Sequence, residues 1–136
     1  MTYTCFELSK KIFAAWNDKK PDDLLPLFDE NYVDHTAPPE APPGQDWVKM
    51  QYEMYTAAFP DIHFELDDVV EAGDKVGERI TVTGTHQGEL MGIPATGKKI
   101  NVSALAIHRA KDDRCVEVWF YLDEMAMMQQ LGVIPS

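Results

Sequence analysis

The sequence predicts an α+β domain, with helices grouped near the start and an antiparallel meander of four strands after them. Apolar residues recur at helical spacing through positions 3–18 and 45–58. From 62 to 122 the pattern changes to strand-like alternation. Gly73-Asp74 and Asp112-Asp113 interrupt that alternation as hairpin-type turns. A chain of 136 residues fits one domain, 1–136.

Each element has its own local reason. In 3–18, Cys5, Leu8, Ile12, Ala15 and Trp16 fall on one helical face, with Glu7, Lys10, Lys11 and Asn17 between them. Pro21, with its fixed φ, opens a second, short helix, and Asp22 and Asp23 suit a helix N-terminus. That helix runs through Leu24, Leu25, Leu27 and Phe28. Asn31 to Thr36 reads as a short strand. Pro38, Pro39, Pro42, Pro43 and Gly44 then impose a loop. A third helix covers Gln45 to Ala58, with Trp47, Met50, Met54 and Ala58 along one side, and Pro60 follows its end. Strands are expected at 62–72, 75–86, 99–109 and 114–122. A last helix spans 124–130, and Gly132 suits its C-cap region.

Composition limits the function. Hydrophobic residues make up 45% of the chain, a globular value, and the net charge is −11. So acidic a protein repels phosphate backbones, and no nucleic-acid partner is expected. No apolar run approaches the ~20 residues that span a membrane. Residues Met1 to Glu7 lack a basic segment followed by an apolar one. Cys5 and Cys115 form no CxxC motif, and reduced thiols in a cytoplasmic protein are the simple reading.

The turn at Asp112-Asp113 sets an expected register. If it has two residues, Lys111 faces Arg114, Ala106 faces Trp119, Ala104 faces Tyr121 and Val102 faces Asp123. Ile100, Val102, Ala104, Ala106 and His108 then share a pocket-like face with Glu117, Trp119, Tyr121 and Asp123. A β-bulge in this pair would exchange the faces.

Asp123 and His35 are the expected catalytic residues. A carboxylate at the rim of an apolar pocket can move protons at carbon acids, and a histidine of near-neutral pKa serves as acid, base or donor. Each has a structural alternative: Asp123 as the N-cap of the last helix, His35 as a histidine packed under the proline loop. Trp119, Tyr121, Phe120, Trp47, Phe59, His86 and Arg79 are candidate substrate-lining residues. His86 could equally build the turn that holds it. Arg79 is a candidate ion-pair partner of Glu78 or Glu65. His108, near a hairpin end, is expected at the surface. His35, His63, His86 and His108 fall on separate elements, so no metal site is expected. Glycines 88, 92 and 97 with Glu89 do not make a phosphate loop; they suggest a flexible hairpin near a pocket mouth.

Phe59-Pro60-Asp61, Gly73-Asp74-Lys75-Val76, the stretch Gly84 to Lys98 and Gln130-Leu131-Gly132 occur at spacings that resemble the SnoaL-like polyketide and ester cyclase family, within the nuclear-transport-factor-2-like superfamily. The resemblance covers nearly the whole chain. It implies a cone-shaped, barrel-like fold whose strongly bent antiparallel sheet and N-terminal helices enclose an apolar pocket. It also implies a homodimer, a small hydrophobic carbonyl compound as substrate, and cofactor-free, metal-free acid/base chemistry of cyclase or isomerase type. Aligned back from Gln130-Leu131-Gly132, the family's catalytic Asp falls on Phe120 and its His partner on Ala106. Epoxide hydrolases of the superfamily carry an Asp where this chain has Thr81. The departure at 106 and 120 leaves three readings: an enzyme working through other residues, a non-catalytic binder of a small hydrophobic ligand, or a domain that mainly mediates protein association through an apolar outer sheet face.

Overall fold

The computed structural model describes residues 3–135; Met1, Thr2 and Ser136, the ends of the expected 1–136 domain, lie outside the described residues. The elements follow the expected order: helices α1 (Cys5–Asn17) and α2 (Pro21–Leu24), a 3-10 turn (Leu25–Leu27), β1 (Phe28–Asp34), α3 (Gln45–Ala58), β2 (His63–Ala72), β3 (Lys75–Thr85), β4 (Lys99–Lys111), β5 (Arg114–Leu122) and α4 (Glu124–Leu131). The second helix is shorter than expected, because Pro26 interrupts its ladder and the chain is extended from Phe28.

Side chains cap the N-termini of α1 and α4. Thr4 and Glu7 form a reciprocal capping box at α1. Asp123 accepts from the Ala126 N–H at α4, and Gly132, at φ 78°, closes it in the left-handed region.

The five strands form one curved sheet in the order β1-β5-β4-β3-β2. The meander β2–β5 is antiparallel, and β1 adds to β5 in parallel. Helix α1 lies across β2, β3 and β4, while α4 packs on β4 and α3 on β1. The buried inner face carries Val76, Glu78, Ile80 and Val82 of β3, and Ile100, Val102, Ala104, Ala106, His108 and Ala110 of β4. Two apolar clusters fill the interior. One gathers Leu8, Ile12, Leu24, Phe28, Tyr32, Trp47 and Cys115; the other gathers Phe13, Phe59, Ile80, Val102, Met127 and Leu131. Phe120 packs against both.

The β4–β5 register corrects the expected one. Lys111 faces Arg114 as predicted, and Asp112 and Asp113 both adopt the positive φ of a tight turn. The pairing then slips: Ala110 faces Cys115 but Arg109 faces Glu117, so Val116 is an extra residue. Beyond this bulge Ala106 faces Phe120, not Trp119, and Ala104 faces Leu122, not Tyr121. Trp119 and Tyr121 therefore stand on the outer face, beside Ile107 and Leu105. Val118, Phe120 and Leu122 turn inward.

Candidate functional site

The expected catalytic residues do not come together. Asp123 is exposed and serves as the cap of α4 through a 3.1 Å bond from the Ala126 N–H. His35, also exposed, lies on the outer face. Its ring stacks on Trp119 at 4.4 Å, and its Nε2 is 2.7 Å from Glu117 Oε2. Arg109 continues this outer network to Glu117 at 2.9 Å and to Asp74 at 3.0 Å. Tyr121 is 65% exposed.

The other substrate-lining candidates divide between core, loop support and surface. Trp47 is buried at the start of α3 and donates through Nε1 to Asp34 at 2.9 Å. Phe59 is fully buried against the ring of His86. His86, itself buried, accepts the Thr96 N–H at Nδ1 and so ties the 86–98 loop to its base. Gln87 and Gly88 both donate to the Ala58 carbonyl. That loop, expected to be flexible, is thus anchored on the end of α3. Arg79 pairs on the outer face with Asp67 at 3.8 Å, not with Glu78 or Glu65. The reason is a second bulge: Asp67 is the extra residue between Leu66 and Asp68.

The inner face holds a polar pair that the sequence reading did not single out. Glu78 of β3 is 3% exposed and His108 of β4 is 6% exposed, so the surface position expected for His108 is corrected. Glu78 Oε1 and His108 Nε2 lie 3.1 Å apart. Their alignment is poor for a hydrogen bond, and neither atom has another hydrogen-bond partner among the described residues. The remaining polar atoms of both side chains are occupied. Glu78 Oε2 accepts a short hydrogen bond from the Ser9 hydroxyl of α1. His108 Nδ1 faces Cys115 Sγ at 3.9 Å, and that thiol donates to the Glu117 carbonyl at 3.4 Å.

Burial disfavours the charged form of both groups. Burial pushes the Glu78 carboxyl up to about 7, with the Ser9 hydrogen bond opposing it. Burial pushes the His108 imidazole down to about 4, with the charge of Asp34 opposing it. Apolar residues of both clusters surround the pair: Phe13 stands 6.2 Å from the His108 ring, and Ala106 separates Glu78 from Phe120 across the sheet. A signal for Glu78 was present in the sequence. In Val76-Gly77-Glu78-Arg79-Ile80-Thr81-Val82 it falls in phase with the apolar residues, on the inward stripe.

Two surface grooves accompany this interior. One, of about 360 Å³, is lined by Tyr3, Thr4, Cys5, Glu71, Asp74 and Ala110. The other, of about 450 Å³, is lined by Asp61, Thr83, Thr85, Lys99, Asn101 and Gln130. His35, Trp119 and Asp123 line neither. Among the described residues no helix is long and apolar enough to cross a membrane.

Comparison with known proteins gives the family. The chain is 25% identical over 132 residues to the aklanonic acid methyl ester cyclase DnrD of Streptomyces peucetius, covering 95% of this chain and 91% of that one. In structure it matches TsrD of Streptomyces laurentii with a TM-score of 0.87, at 26% identity and 95% coverage of both chains. It matches IdmH of Streptomyces antibioticus with a TM-score of 0.83, at 30% identity, covering 96% of this chain and 99% of the other. The family model for SnoaL-like polyketide cyclases aligns with residues 7–131, and the chain belongs to that family.

Proposed function

We propose that this protein is a cofactor-free enzyme of cyclase or isomerase type, acting by proton transfer on a small hydrophobic carbonyl compound. The observation that carries this reading is the meeting of one carboxyl and one imidazole, both buried, between two apolar clusters on the inner face. The relative named as an aklanonic acid methyl ester cyclase makes a polyketide methyl ester the first substrate to try. A cyclase converts aklanonic acid methyl ester to a cyclised product well above the uncatalysed rate, as followed by liquid chromatography. Binding of that ester without turnover would favour the second reading, a non-catalytic binder. Phe120 and Ala106, at the positions where the resemblance implies acid and base, are the observation on that side.

The outer face supports a homodimer. Leu105 is 60% exposed and Ile107 45%, and they pair across the strands with Tyr121 and Trp119. An exposed apolar patch of this kind marks an association surface, and a self-complementary sheet face suits two-fold symmetry. Cys5 and Cys115 are free and buried, in keeping with a reducing, cytoplasmic setting.

A further inference from the structure

We propose that Glu78 and His108 are the acid and base of this chain, and that they act on a neutral, enolisable ketone or ester rather than on a carboxylate. The proposal rests on the enzyme reading above and gives it residues and a substrate class.

Geometry comes first. Ala106 lies directly opposite Glu78 on one side and Phe120 on the other, and His108 is two residues along the same strand. All four positions therefore border one patch of the inner face. On that patch, Glu78 Oε1 and His108 Nε2 lie 3.1 Å apart, both buried, and neither has an aligned hydrogen-bond partner among the described residues. Leaving a buried polar atom unpaired is costly, and native proteins rarely do so without a reason. A pair kept only for stability would be aligned into a hydrogen bond. Held slightly out of line, the two atoms are free for a third group that offers an acceptor oxygen and an acidic C–H.

The surrounding bonds divide the roles. The Cys115 thiol hydrogen is used on the Glu117 carbonyl, so the Nδ1 hydrogen of His108 points at sulfur and Nε2 keeps its lone pair. His108 Nε2 is then the base. Ser9 holds Glu78 Oε2, which leaves Oε1 to carry the acidic proton. The opposite displacements of the two groups, the carboxyl upward and the imidazole downward, match this division.

The step conserves atoms and electrons. His108 takes a proton from the carbon next to the carbonyl. The C–H electrons form a C=C bond, the C=O π pair moves to oxygen, and that oxygen takes the Glu78 proton to give an enol. In an isomerisation, His108 returns the proton to a different carbon of the conjugated enol, and Glu78 recovers its own from the oxygen. In a cyclisation, the enol carbon forms a C–C bond to a second carbonyl, whose oxygen takes the proton from His108. The first carbonyl re-forms and returns its proton to Glu78. Nothing is oxidised or reduced. A carboxylate substrate would have to bring its charge between two apolar clusters with no cation among the described residues that form them, which is costly. Between an ester and its free acid, this favours the ester.

The first test uses 1-tetralone, a neutral ketone, and follows exchange of its α-hydrogens for deuterium in D2O by NMR. Wild type is expected to accelerate the exchange, and to do so far less for a tetralone bearing a carboxylate. Glu78→Gln and His108→Asn should each lower the acceleration by about 100-fold or more, while the exposed Glu65→Gln leaves it unchanged. Thermal melts verify that the variants fold. Full activity in folded Glu78→Gln and His108→Asn overturns the assignment while leaving the enzyme reading intact. If wild type exchanges no probe and turns over no polyketide ester, the enzyme reading itself fails. Binding of 2-naphthol, an enol mimic, then decides whether the pair is a ligand site. A shift of the His108 Nε2 resonance in 15N spectra of wild type supports it, and an unmoved resonance overturns it.

Discussion

Ala106 and Phe120 face each other across β4 and β5 on the inner side of the sheet. A methyl group and an aromatic ring thus occupy the two positions where the family resemblance implies a His and an Asp acting together as an acid/base pair. Glu78, the next residue across the sheet from Ala106, and His108, two along from it, supply ionisable groups on the same patch.

The buried pair predicts an unusual dependence of stability on pH. Glu78 holds its proton more tightly in the folded chain, at about 7 against an ordinary 4.5. Its contribution is complete below about pH 4.5 and is lost as pH rises to about 7. His108 behaves oppositely, at about 4 against an ordinary 6.5: its contribution is complete above about pH 6.5 and is lost as pH falls to about 4. The two slopes oppose each other in wild type. Glu78→Gln should leave stability falling on acidification from 6.5 to 4. His108→Leu should leave it falling on alkalinisation from 4.5 to 7. Each limb is worth up to about 3 kcal/mol. Asp34, Cys5, Cys115 and Tyr32, the neighbouring groups, are common to all three proteins. Urea midpoints measured across this range test the signs; parallel profiles would refute them.

Asp123 acts as a helix cap, so Asp123→Ala should cost about 1 kcal/mol and lower the melting temperature by a few degrees. Asp123→Ser keeps an oxygen for the Ala126 N–H and should restore most of that loss. A catalytic carboxylate is not replaced by a hydroxyl. Loss of turnover in a fully stable Asp123→Ser protein would therefore return Asp123 to the active site.

Gly88 lies against the end of α3, where an added Cβ would come within 2.1 Å of the Ala57 carbonyl oxygen. Backbone on both sides leaves no flexible side chain to yield. Gly88→Ala should destabilise by about 2 kcal/mol or more, read as a lower denaturation midpoint. Gly73→Ala meets no neighbour within 4 Å, although it bears the strain of φ +61°. It should be the milder of the two.

Leu105 and Ile107 test the outer face. A double change to Glu places like charges on a self-complementary apolar surface and should convert a dimer to a monomer in analytical ultracentrifugation. A wild-type protein already monomeric at micromolar concentration removes the proposed interface.

The order of the elements and the bounds of α3 and the meander were legible because helical spacing, alternation and turn residues agree there, whereas β1 begins at Phe28, inside the segment read as helix, and not at Asn31. The faces of β5 were not legible. The turn at Asp112-Asp113 was read correctly, yet the single extra residue Val116 reversed every side chain beyond it. Val118, Phe120 and Leu122 are a plainer apolar stripe than Glu117, Trp119 and Tyr121, and that contrast carried the answer. Two aromatic rings on one face suggested a pocket wall; they belong to an exposed outer surface. Glu78 stood in phase with Val76 and Ile80, so its burial was readable, but its partner lies on another strand. Contact between residues 78 and 108 depends on strand register, which local pattern does not encode.

The measurement that tests the inner-face site most directly is an NMR map of backbone amide shifts in wild-type protein titrated with 2-naphthol. Shifts centred on Glu78, Ala104, Ala106, His108 and Phe120 are predicted. Shifts confined to His35, Trp119 and Tyr121 would place the ligand on the outer face and contradict the assignment.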